Sequence, residues 1–239
     1  MKNKIVLISL FALPIVIYLI FSTASHNSLF LPTLSKNNSE IPQNWTSLDT
    51  SKIALKGKIT VLGFVGNNVI ENRGNFFNLN QKIYNKYKGF TDFQMVMVTP
   101  KGNEAKAKQI IDELAPITGE MTGWKFVFAS PEEIQSFYDS YKLTGKLDEN
   151  LGTPAVIIVD KELSHRGRKG KNKKGVDEYK ESYNTISAAD LHNEMTDDIK
   201  IILREYRLAL KKNKNKRKDA FRDKIEENVS KANQDNNEK

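Results

Sequence analysis

The chain contains no cysteine in its 239 residues. That removes disulfides, thiolate nucleophiles, zinc–thiolate sites and thiol peroxidase chemistry together. It says nothing of compartment, because oxidising spaces permit disulfides without requiring them. Histidine is nearly as scarce: His26, His165 and His192 have no i,i+3 or i,i+4 partner among them, so a histidine metal site is not expected. There is no Gly-x-Ser-x-Gly, and no histidine is placed to serve a nucleophilic serine. The glycines and lysines of RGRKGKNKKG lack the spacing of a phosphate loop. Carboxylates abound in PEEI and TDDI, but they read as first-turn residues that complement a helix dipole. Neither an enzyme site nor a cofactor is therefore expected.

What the sequence does have begins at its N-terminus. Lys2 and Lys4 precede the charge-free run IVLISLFALPIVIYLIF, Ile5 to Phe21. Its seventeen residues exceed a signal-peptide core and reach the short end of a membrane-spanning helix. The lysines place the N-terminus inside and the remainder outside, a periplasmic domain in a bacterial envelope. Residues 1–21 are thus expected to form a signal anchor, with cleavage after Ala24 in STAS as the alternative. A lipoprotein anchor is excluded, because no cysteine follows the run. Residues 22–50, rich in Ser, Asn, Thr and Pro, show no sustained periodicity and read as a flexible tether.

Order begins near LKGKITVLGF, where Ile59, Val61, Leu62 and Phe64 mark a buried strand. In the next segment Phe76, Leu79, Ile83 and Tyr87 recur at three and four, predicting a helix with one apolar face. DFQMVMVTP is an apolar strand, in which Met95 and Met97 read as core rather than as a thioether pair for copper. A helix with Ala107, Ile110, Ile111 and Leu114 on one side follows, then the strand WKFVFAS. SPEEIQSFYDSYK is a helix with Ser130 as N-cap and Pro131 at its first position. After the strand Ala155 to Val159 comes a short return strand, Leu163 to Arg168. A closing helix starts at SAAD, capped by Ser187, and carries the stripe Leu191, Met195, Ile199, Ile202, Tyr206 and Leu210. The order β-α-β-α-β-α-β-β-α predicts an α/β protein over residues 51–212, with a mostly parallel central sheet and one antiparallel hairpin. Residues 213–239 form a basic, polar tail.

That order, with LGTPAVIIVD placing a Thr-Pro step just before the hairpin, resembles the thioredoxin-like superfamily. It is most similar to the branch of the Sco copper chaperones of cytochrome oxidase assembly, through the anchored LKGKITVLGF entry and TPAVIIVDKELSHRGR. The resemblance implies a three-layer thioredoxin-like fold and an assembly context. It also raises the expectation of a cis Thr153–Pro154 bond, with strand-edge backbone groups open to an extended peptide. The family's copper ligands do not carry over. Its Cys-x-x-x-Cys loop is matched here by VGNNVIENRG, with Asn67, Asn68 and Asn72, and Gly152 stands near the expected histidine. Asn67, Asn68, Asn72, Thr153 and Pro154 therefore outline a degenerate site, read chiefly as turn formers and caps. Amide oxygens are hard, poor donors for Cu(I).

The chain carries 37 basic against 29 acidic residues, and the excess is uneven. Arg166, Arg168, Lys169, Lys171, Lys173 and Lys174 crowd one loop; Lys211, Lys212, Lys214, Lys216, Arg217 and Lys218 crowd the end of the closing helix. These are candidate contacts to an anionic surface. The outward topology and the lack of interleaved aromatics argue against nucleic acid. The leading expectation is a membrane-anchored, exported, non-enzymatic protein that binds another envelope protein as an assembly accessory. Two alternatives stay open: a cysteine-independent enzyme or small-ligand binder using the Asn-rich loop, and an envelope adaptor working through its basic tracts.

Overall fold

A computed structural model describes residues 10, 12–18, 30–49, 51–171 and 175–210. Its elements are β1 (Thr33–Ser35), β2 (Thr46–Ser47), β3 (Ile59–Val65), α1 (73–87), β4 (Phe93–Pro100), α2 (Glu104–Thr118) and β5 (Trp124–Ala129). Then follow α3 (Pro131–Ser140), β6 (Gly152–Val159), β7 (His165–Arg166), β8 (Arg168–Lys171), β9 (Asp177–Lys180), β10 (Tyr183–Asn184) and α4 (188–210).

Continuous apolar runs make β3, β4 and β5 central, because only a sheet covered on both faces buries every side chain of a strand. They pair in parallel, β3 with β4 and β4 with β5. β6 joins the other side of β3 in the antiparallel sense and is followed by antiparallel β7, giving the order β1-β7-β6-β3-β4-β5-β2. The sheet is mixed.

Strand alternation sends two sets of side chains to opposite faces. Val61, Met95, Met97, Phe126 and Ile158 pack toward α1, α2 and α4, whose Phe76, Leu79, Ile110, Leu191 and Ile199 share that core. Leu62, Phe64, Val96, Val127 and Ile157 pack toward Ile134, Phe137 and Tyr138 of α3. Met95 and Met97 are fully buried, as their apolar setting predicts. The α3 capping box is complete: Glu133 N–H donates to Ser130 Oγ at 3.3 Å and Ser130 N–H to Glu133 Oε2 at 2.9 Å. At α4 only half of such a box forms. Asp190 N–H donates to Ser187 Oγ, but the Asp190 carboxylate takes Lys180 and the Asn184 N–H instead.

The sheet is parallel only through β3, β4 and β5, which corrects the expectation of a mostly parallel sheet with one antiparallel hairpin. Three further features depart from the sequence pattern. The first concerns residues 22–50, expected as a tether: from Leu31 onward they are built into the domain. Leu31 and Ile41 are buried, β1 pairs with β7 and β2 pairs with β5. Low periodicity misled here because two- and three-residue edge strands carry too little sequence to show a period. The second is the return strand, which splits at Gly167. β7 stays in the main sheet, whereas β8 pairs with β9 as a separate ribbon. The third is TDDI, which lies mid-helix rather than in a first turn, with Asp198 buried.

Of the expected anchor, Leu10 and residues 12–18 are described; the latter are helical and exposed. The rest of Ile5 to Phe21 lies outside the described residues, and among those described no helix is long and apolar enough to cross a membrane.

Candidate functional site

The Asn-rich loop leaves the C-terminal end of β3 and meets the lead-in to β6. Gly66 makes the turn at φ +67°, with its carbonyl accepting from Thr99 Oγ1 at 2.8 Å. Asn67 N–H donates to Asn150 O at 2.9 Å, and Val65 stands in register with Gly152. Asp148 locks the facing turn: its Oδ1 accepts from Asn150 N–H and Gly152 N–H at 2.9 and 2.8 Å. Backbone therefore fills the space between the two loops. A Cβ on Gly66 would lie 2.3 Å from Asn150 O, and one on Gly152 would lie 2.8 Å from Val65 O.

The three asparagines do not converge. The Asn67 side chain accepts from Asn103 Nδ2 at 3.2 Å, at the start of α2. Asn68 and Asn72 share one turn, Asn72 N–H donating to Asn68 O at 3.0 Å. Asn72 precedes α1 without a side-chain capping bond, and lines a small cavity with Phe76, Met97 and Thr153. That cavity is about 20 Å³, enough for one water molecule.

Thr153 and Pro154 sit beside this cavity in the trans form: the described residues contain no cis peptide bond, which corrects the cis expectation. The peptide-accepting edge is also taken. β10 pairs with Val156 and Ala155 of β6, and Pro154 O accepts both Thr185 N–H at 2.9 Å and Thr185 Oγ1 at 2.7 Å. An extended segment of the chain itself occupies the place left open for a partner peptide.

These residues do not fit copper. The chain has no thiolate to offer, a side chain at Gly152 would collide with backbone, and the one thioether at the cavity, Met97, is packed against Gly63. No group of three or more His, Asp or Glu able to hold a metal occurs among the described residues.

The basic loop divides in two. Lys169 and Lys171 are exposed on β8, whereas Arg166 and Arg168 are structural, correcting their assignment as anionic-surface contacts. Arg166, with its side chain 8% exposed, pairs through Nη1 with Asp160 at 3.0 Å and through Nη2 with Glu205 at 2.6 Å. Its Nε and Nη2 also donate to Leu31 O, while Leu31 N–H donates to Glu205 Oε1 at 2.7 Å. One guanidinium thus ties the N-terminal segment, the end of β6 and α4 together. Burial works against its charge, but the two carboxylates outweigh this and hold its pKa above the usual arginine value. Arg168 reaches Asp198 at 2.8 Å, and Tyr183 OH donates to the same carboxylate at 2.6 Å. Burial nonetheless raises the Asp198 pKa. Lys173, Lys174, Lys211, Lys212, Lys214, Lys216, Arg217 and Lys218 lie outside the described residues.

Glu181 and His165, neither anticipated as a functional residue, form a further buried polar group. The Glu181 carboxylate accepts from Thr144 N–H at 2.8 Å, Thr144 Oγ1 at 2.5 Å and Tyr179 OH at 3.1 Å. Burial would raise its pKa, and these bonds overcome that and lower it. His165 Nε2–H donates to Glu181 O at 2.6 Å, and burial lowers the imidazole pKa. The signal for both was position: His165 lies on β7, paired with β6, and Glu181 lies in the short link between β9 and β10, the latter also paired with β6.

No family model matches the chain, and none of the curated proteins does. Solved structures do. A SCO1/SenC family lipoprotein from Bacillus anthracis matches with a TM-score of 0.53 at 17% identity, covering 73% of this chain and 99% of its own. The fold is thioredoxin-like, of the Sco/SenC kind. BsSco, a member of the Sco family of cytochrome c oxidase assembly proteins with an identified disulfide switch, matches with a TM-score of 0.50 at 15% identity, over 72% of this chain and 98% of its own. At such identities the likeness is one of fold. With no cysteine, this chain has no counterpart of the disulfide switch identified in BsSco.

Proposed function

We propose that this chain is a membrane-anchored, extracytoplasmic, Sco-like protein that acts by binding another envelope protein, as an accessory in assembly, without thiol or copper chemistry of its own. The observation that carries this reading is the closure of the cleft: Asn67 pairs with Asn150 and Val65 with Gly152, with Gly66 pressed against Asn150, where a cofactor or thiol pair would need room. The apolar run after Lys2 and Lys4 supports the anchor, and a relative of the same fold being a lipoprotein fits an outward-facing domain held at a membrane. The one-water cavity weighs against a small-ligand binder.

The test has two arms. A C-terminal reporter active only outside the cytoplasm is expected, on a protein that resists alkaline extraction from membranes. Crosslinking in intact cells followed by affinity purification from detergent-solubilised membranes is expected to return one stoichiometric envelope protein, undiminished in an Asn67→Ala/Asn72→Ala variant. Reporter activity inside the cytoplasm overturns the topology. Loss of the partner in the asparagine variant would move the binding site to the loop.

A further inference from the structure

The Arg166 clamp fixes more than stability. Leu31 is held on Glu205 and Arg166, so the segment that leads back to the apolar run departs from the domain beside the last turns of α4. Only nine residues, 22–30, separate Phe21 from Leu31, and fully extended they reach about 30 Å. Around this exit the surface is mixed apolar and basic. Phe30, Leu208 and Leu210 are 64%, 40% and 64% exposed, and Arg204 and Arg207 are exposed on the face of α4 opposite its buried stripe. The sequence then continues into Lys211, Lys212, Lys214, Lys216, Arg217 and Lys218 without an acid.

We infer that this pole of the domain rests on the bilayer, and that its occupant is an anionic lipid surface met by Leu208, Leu210, Arg204 and Arg207. Apolar side chains interspersed with cations suit the headgroup boundary, where each basic residue gains from the negative surface potential within a Debye length of about 8 Å. The inference rests on the anchored reading and adds an orientation to it. Asp160, at the C-terminal end of β6, touches Arg166 and so lies at this pole. Gly152 begins the same eight-residue strand, about 25 Å away. The Asn67–Asn150 end therefore faces away from the membrane.

The absence of cysteine makes the test direct, since any introduced thiol is the sole labelling site. The full chain carrying Leu208→Cys or Glu149→Cys, each with an environment-sensitive fluorophore, is reconstituted into nanodiscs containing a headgroup quencher. Co-elution with the discs is scored first, and its failure defeats the anchoring itself. Given co-elution, quenching at 208 is expected to exceed that at 149 several-fold in anionic discs. It should fall toward the value at 149 in neutral discs and at high salt. The same fall is expected when Arg204 and Arg207 are both changed to Gln. Equal quenching at both positions, or quenching at 208 indifferent to lipid charge and salt, overturns the inference while leaving the anchor intact.

Discussion

Replacing Arg166 with methionine tests how the N-terminal segment is held. The substitution keeps much of the apolar stem and removes the fork that serves Asp160, Glu205 and the Leu31 carbonyl. Those carboxylates are 5% and 13% exposed, so water cannot take over, and removing one partner of a buried pair typically costs about 3–5 kcal/mol. Asp160 keeps the Glu162 and Ser164 N–H donors on Oδ1, and Glu205 keeps Leu31 N–H, which favours the lower half of that range. At an m-value of about 2 kcal/mol per molar urea, the midpoint should drop by about 1.5–2 M. Tryptophan fluorescence of the full chain in mild detergent follows the transition, Trp124 being buried beside Phe126. Limited proteolysis should find a new cut between residues 30 and 49. Arg166→Lys keeps a charge for the carboxylates but loses the bidentate grip on Leu31 O, and should fall between methionine and wild type. A loss below about 1 kcal/mol for Arg166→Met, with no new cut, would show that β1 is held by strand pairing alone.

The remaining predictions concern the closed cleft and acid stability. Gly66→Ala should cost more than about 2 kcal/mol in urea unfolding, since positive φ strain adds to a clash with fixed backbone; Gly57→Ala, at φ +82° with nothing within 4 Å, should cost only about 1 kcal/mol. Similar costs at both positions would mean that the loop yields. Introducing thiols as Asn68→Cys/Asn72→Cys should yield a labelable dithiol but no Cu(I) complex that survives a competing chelator. Adding Gly152→His should destabilise the fold rather than complete a site, because Val65 O blocks its Cβ; recovery of a chelator-resistant complex would refute this. Stability should fall with acid in two stages. His165 has a folded pKa below its ordinary 6.5, so its contribution is full above that value and is lost as pH drops through the depressed one. Glu181, lowered from 4.5, behaves likewise at lower pH. Thermal unfolding across the acid range should show the first stage flattened in His165→Gln and the second in Glu181→Gln.

The sheet and its covering helices were legible because their side chains repeat. The continuous apolar runs of β3, β4 and β5 and the threes and fours of Phe76, Leu79, Ile83 and Tyr87 leave little freedom in what faces the core. The degenerate cleft was half legible. Missing cysteines told what chemistry was absent, but only Gly66 and Gly152, unremarkable in sequence, show that backbone fills the gap. Arg166 and Arg168 read as surface because a dense basic run gives no sign of acids distant in sequence. Their partners Asp160, Glu205 and Asp198 come together only through the return of β7 and the docking of α4. The occupied edge beside Pro154 was illegible for a similar reason: β10 is two residues long.

The N-terminal segment lies on both rims of the sheet, β1 on β7 at one and β2 on β5 at the other. This sets a problem of timing. Residues 33–47 leave the ribosome first, yet β2 must wait for residue 128 and β1 for residue 166 before either has a partner. Until then β1 and β2 stand with unpaired amides and carbonyls, as β5 and β7 would without them, the condition in which strands of neighbouring chains join. A chain shortened to begin at Ser51 would keep that condition permanently. It should therefore assemble rim to rim even though α1 to α4 and every central strand remain.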